Sequence, residues 1–194
     1  MSMLRTRIFC VLILLVFGTV SRFSSAAEIP VAPDTTPTLG VPAAPEHIAA
    51  WDIDIAPDGS GLPSGSGTPE RGRVLYDQLC AACHGPEGIG ASAEELAGGS
   101  GDLTGDWPDK TIGTYWPYAV TLFDFIRRSK PMATPGSLGN DEVYALTAYL
   151  LELNGIIDGS KPLDATGLSA VVMPNREGFV DCYHAPPGSK ECPY

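Results

Sequence analysis

The stretch Cys80-Ala81-Ala82-Cys83-His84 constrains this 194-residue chain more than any other. Two cysteines separated by two residues and followed at once by histidine form the pattern of covalent c-type haem attachment. Each thiol can add across one haem vinyl group, and two intervening residues span the gap between the vinyls. His84 then lies under the ring, where an imidazole nitrogen can bind iron. A chain with this tether must fold its apolar segments around a flat cofactor. A cofactor that cannot dissociate suits an electron carrier.

The N-terminus reads as a secretory signal peptide over residues 1–27. Arg5 and Arg7 precede an apolar run from Ile8 to Val20, and Ser24-Ser25-Ala26-Ala27 offers small residues for cleavage. The run is short for a membrane span, so no span is expected after cleavage, and the mature protein is expected in the periplasm. Removing the segment takes away three arginines and no acid, which leaves 9 basic and 23 acidic residues, a net charge of −14. Nucleic acid is a poor partner for such a chain, whereas a basic docking patch is a good one. Of five cysteines, Cys10 leaves with the signal and two take haem. Cys182 and Cys192 remain, and an oxidising compartment favours a disulfide between them. A zinc site combining this pair with Cys80 and Cys83 is the competing reading, but zinc has no need of His84 directly after Cys83.

Three regions follow the signal. Residues 28–67 form an arm rich in proline and glycine, with seven prolines from Pro30 to Pro63. An extended path is expected there, interrupted by a short strand or docking segment at Trp51-Asp52-Ile53-Asp54-Ile55. Residues 68–155 read as the packed domain. Its first helix is capped by Thr68 with Pro69 in the first turn and runs through Val74, Leu75 and Leu79 into Cys80. A second is predicted from about Tyr118 to Arg128. A third starts at an Asn140 cap, carries Asp141 and Glu142 at its positive end, repeats Val143, Leu146, Leu150 and Leu153 at helical spacing, and ends at Asn154-Gly155. Residues 85–117 form a glycine-rich loop. Residues 156–194 read as an irregular tail.

A second axial ligand opposite His84 has few sources. Met1 and Met3 leave with the signal, so Met132 and Met173 are the methionines available. Met132 lies 48 residues after His84 on a loop before the third helix and is the expected ligand, with Met173 the alternative. His47, His184, Lys130 or an open position complete the choices. Methionine sulfur raises the reduction potential relative to a second imidazole, and two axial ligands leave no vacancy for substrate. The other nitrogen of His84 needs a carbonyl acceptor, for which Ser100-Gly101-Asp102-Leu103 is the candidate. Trp107, Tyr115, Trp116, Arg127 and Arg128 are the candidate donors for haem propionates.

These residues carry a resemblance. Gly72-x-x-x-Tyr76-x-x-x-Cys80, the pair Tyr149-Leu150 and the placement of Met132 eight residues before Asn140 are similar to the class I c-type cytochromes. The family usually has proline where Gly101 aligns. The resemblance implies an all-α class I cytochrome c fold, three main helices around one covalent haem c, with an extended N-terminal arm and an irregular C-terminal tail. It implies Cys80 and Cys83 as attachment points and His84 and Met132 as axial ligands.

A narrower resemblance covers nearly all of the mature chain. Trp51-Asp52-Ile53, Leu62-Pro63-x-Gly65-Ser66-Gly67, Ile112-Gly113-x-Tyr115-Trp116-Pro117-Tyr118-Ala119, the run from Asp141 to Leu150, and Met173-Pro174-Asn175-Arg176-x-Gly178-Phe179 together resemble the cytochrome subunits of bacterial sulfite and sulfane dehydrogenases. That implies a molybdenum-containing subunit as electron donor and a downstream cytochrome or oxidase as acceptor, with no catalysis by this chain alone. A freely diffusing cytochrome is one alternative. A small haem enzyme that itself oxidises a sulfur compound is another.

Overall fold

A computed structural model describes residues 40–99 and 103–184 of the chain. The expected signal peptide, Cys10, Ser100-Gly101-Asp102 and Cys192 lie outside them. The chain divides into two units, Met1–Ala44 and Pro45–Tyr194. Of the first, residues 40–44 are described and contain no helix or strand. All that follows concerns the second. Among the described residues, no helix is long and apolar enough to cross a membrane.

Helix α1, Pro45–Trp51, lies in the arm where an extended path was expected, and none of its residues is buried. Proline opens it at a position that needs no donor, and Ala49 and Ala50 favour helix. After Trp51 the chain forms no strand at Asp52–Ile55. These residues instead meet the helical domain: Arg128 Nη2 donates to Ile53 O at 2.8 Å and pairs with Asp54 Oδ1 at 2.9 Å. Further along, Tyr144 Oη donates to Pro63 O at 2.8 Å. Strand β1, Ser66–Gly67, pairs antiparallel with β2, Leu163–Asp164.

Helix α2, Pro69–Leu79, begins as the sequence predicts: Thr68 Oγ1 accepts from Arg71 N–H, and Pro69 occupies the first turn. Four short or medium helices follow: α3 (Ala81–His84), a 3₁₀ turn at Pro86–Gly88, α4 (Ile112–Tyr115) and α5 (Ala119–Ser129). Helix α6, Asn140–Leu153, is the centre of the fold. Its nine residues from Val143 to Leu151 are all buried, so it is enclosed on every side and not on one stripe. α2 crosses it at Gly72, where a side chain would overlap the Ala145 carbonyl. Tyr76 packs beside Tyr149 there, ring centres 5.4 Å apart.

The cap of α6 differs from expectation. Asn140 is already helical, and Gly139 is the cap, its N–H donating to Glu142 Oε2 at 2.9 Å. That carboxylate satisfies the cap residue's own N–H, the half of a capping box that needs no side chain at the cap. Asn140 Nδ2 is directed instead to Ser64 O at 3.2 Å. The tail is also more regular than expected. Asp164 caps a short helix α7, Ala165–Ser169, by accepting from Gly167 N–H. Leu163, Leu168 and Met173 join the core formed by α2, α5 and α6. A five-residue helix is too short to show a period in sequence. Helices α2, α5 and α6 around a common core, with one two-stranded ribbon, make the class I cytochrome c fold.

Candidate functional site

α2 ends at Leu79, and the chain re-enters helix at once as α3. One turn of helix separates Cys80 from Cys83 and sets His84 beside them. Gly85 follows with φ +75°, a conformation a side chain would oppose, and a Cβ there would also overlap the Gly90 carbonyl. The chain therefore folds back: Gly90 N–H donates to His84 O and Ala93 N–H to Cys83 O, each at 2.8 Å.

That return brings the Glu94 carbonyl to 2.7 Å from His84 Nδ1. A carbonyl only accepts, so Nδ1 carries the proton and Nε2 keeps its lone pair for a metal. Glu94 therefore supplies an acceptor, whereas most of the candidate stretch, Ser100-Gly101-Asp102, lies outside the described residues. The loop is fastened to the end of α6 by Asn154, whose Nδ2 donates to Leu96 O at 3.1 Å and whose Oδ1 accepts from Gly113 N–H at 3.2 Å. In sequence Asn154-Gly155 reads only as a helix stop.

Cys80, Cys83, His84 and Met132 line one cavity of about 460 Å³, within the range of roughly 300–1,000 Å³ typical of small-molecule sites. Its apolar wall includes Ile112, Leu122, Phe125 and Ile126. Cys80 is half-buried and Cys83 exposed, both as free thiols. Burial, then the neighbouring Cys83, pushes the Cys80 thiol up to about 11, with Lys130 pulling the other way. Met132 is 79% exposed at the mouth, beyond the end of α5. Met173 is 1% exposed, sits in the core and is not part of this wall. Lys130 lines the cavity, its Nζ 4.9 Å from the Phe125 ring centre. His47 and His184 are exposed elsewhere, His184 paired with Asp181 at 2.6 Å.

Of the candidate propionate donors, Trp116 lines the cavity. Arg128 is committed to Asp124 at 2.7 Å and to the arm. Arg127 lines a separate groove beside Gly136 and Asn140, and Trp107 is 93% exposed. Lys110 joins the cavity wall unforeseen. The signal was present, since Lys110 is the sole basic residue between His84 and Arg127. Cys182 is disulfide-bonded and so offers no thiolate to a zinc ion. Two thiols one turn apart, an imidazole with a free Nε2, a thioether, apolar walls and cations at the margin match what an iron porphyrin needs on every side.

The Cytochrome c family matches residues 69–154. A chain in the crystal structure of the sulfane dehydrogenase SoxCD from Paracoccus pantotrophus is 41% identical, with a TM-score of 0.70 over 80% of this chain and 81% of that one. Thiosulfate dehydrogenase of Stutzerimonas stutzeri (strain A1501) is 29% identical over 129 residues, which take in 56% of this chain. The match spans 40% of that relative's length. The chain belongs to the cytochrome c family, and its cofactor is covalently bound haem c.

Proposed function

We propose that this chain is a periplasmic monohaem cytochrome c. It takes electrons singly from a molybdenum-containing sulfite or sulfane dehydrogenase subunit and passes them to another cytochrome or an oxidase. The observation that carries the reading is the gathering of Cys80, Cys83, His84 and Met132 on one cavity. Cys80 and Cys83 would hold the haem through thioethers, and His84 and Met132 would bind its iron. The haem supplies a one-electron couple, and a methionine ligand sets it at the higher end of the histidine-ligated range. The chain's own task is to orient the His84 imidazole through Glu94 O and keep water off the apolar wall, and His84 and Met132 would be the residues that hold the iron. The 41% identity with a chain of the sulfane dehydrogenase structure supports a sulfur-oxidising partner. The apolar run at residues 8–20 supports export.

Replacing Met132 by alanine tests the site. The iron–thioether charge-transfer band should vanish and the potential fall steeply. Retention of that band would remove Met132 from the assignment. Rapid carbon monoxide binding to the reduced wild-type protein would instead favour a haem enzyme acting on the sulfur compound itself.

A further inference from the structure

Trp116 reaches the cavity from a segment that belongs to no helix. It lies between α4, which ends at Tyr115, and α5, which begins at Ala119, with extended backbone at Trp116 (φ −71°, ψ 126°) and Tyr118 (φ −137°, ψ 128°). Pro117 brings no backbone donor to this stretch. The tail grips it from outside. Asn175 Nδ2 donates to Tyr115 O at 2.7 Å. The Arg176 guanidinium lies 4.1 Å from the centre of the Tyr118 ring. Phe179 meets Tyr115 edge-on at 5.3 Å. Trp116 is bracketed by these contacts, and the gripping segment is itself anchored by Met173 in the core.

The turn is built for this grip. Arg176 N–H donates to Met173 O and Gly178 N–H to Asn175 O, each at 3.1 Å. A side chain at 178 would take the space of the Asn175 amide. Gly178 is not in the left-handed region, so its bare backbone serves the amide's position and not the fold of the chain.

We propose that Asn175, Arg176 and Gly178 are positioning residues of the haem site, forming a clamp that holds Trp116 against the cavity. The proposal rests on the cavity being the haem site. Through Trp116 the clamp keeps water from one wall. The oxidised iron carries one more positive charge than the reduced iron, and water stabilises that charge, so a loosened clamp lowers the potential.

The chain has three tryptophans, and Trp51 and Trp107 are exposed. Changing those two to phenylalanine leaves Trp116 as the sole emitter, quenched by haem according to its distance. In that background, Asn175→Ala and Gly178→Ala should each raise the emission several-fold and lower the potential. The double variant should match either single one, because both break the same bond. Arg176→Lys keeps the charge but loses the planar stack, and should shift both readings the same way by less. Should Asn175→Ala fail to fold, the other two variants carry the same expectation. Unchanged emission and potential, with only the melting temperature lowered, would overturn the clamp. Wild-type emission that is not quenched at all would overturn the haem assignment beneath it.

Discussion

Tyr76 shows how one side chain serves both packing and the site. Its ring is fully buried against α6, and its hydroxyl donates to Gly85 O at 2.8 Å, at the turn that sends the chain back under His84. Tyr76→Phe should cost about 1 kcal/mol, read by denaturant unfolding. Burial pushes the phenol up to about 12 from an ordinary value of 10.0. A raised folded-state value means that the stability contribution is complete below pH 10 and is lost as pH rises through 12. Stability should therefore fall over that window, and Tyr76→Phe should shallow the fall. It will not abolish it, because burial also raises Tyr144 and Tyr149. The two methionines separate just as cleanly. Met173→Ala should cost about 2–5 kcal/mol through the cavity it leaves and keep the thioether band, the reverse of the outcome at Met132.

At the level of elements, the crossing of α2 and α6 is the tightest joint. An added methyl at Gly72 gains up to about 1 kcal/mol of helix propensity. It collides, however, with the Ala145 backbone, which can yield only by parting the helices. Overpacking of that kind costs about 1–3 kcal/mol or more, so Gly72→Ala should lower the melting temperature while the haem spectrum of the folded fraction persists. The Gly72 pattern was visible in the sequence only through the family resemblance, whereas the Thr68 cap, the span of α5 within a residue and the pattern of α6 were legible directly, because local spacing and capping chemistry decide them. The Glu94 acceptor was not legible. It depends on the return of a loop, and every residue offers a carbonyl. The Gly139 cap was hidden because its acceptor belongs to Glu142, three residues on. The role of Lys110 depended on long-range placement, although its isolation in the sequence marked it.

For the molecule as a whole, charge and reach govern encounter. The chain's formal net charge of −11 at pH 7 would steer it toward a basic partner. Raising ionic strength from 0.01 M to 0.15 M shortens screening from about 30 Å to about 8 Å. Electron transfer with such a partner should slow by on the order of tenfold, measured by stopped flow. The arm is expected to hold the partner subunit, and its deletion should end before Asp52, since Ile53 and Asp54 support Arg128. Removing residues 28–51 should weaken complex formation and leave the haem spectrum intact, whereas unchanged co-purification would dismiss that role. The burial of Met173 has a further bearing on biogenesis. Met173 is made 90 residues after Cys83, so a nascent chain carries both thiols before the residue that completes its interior has been added.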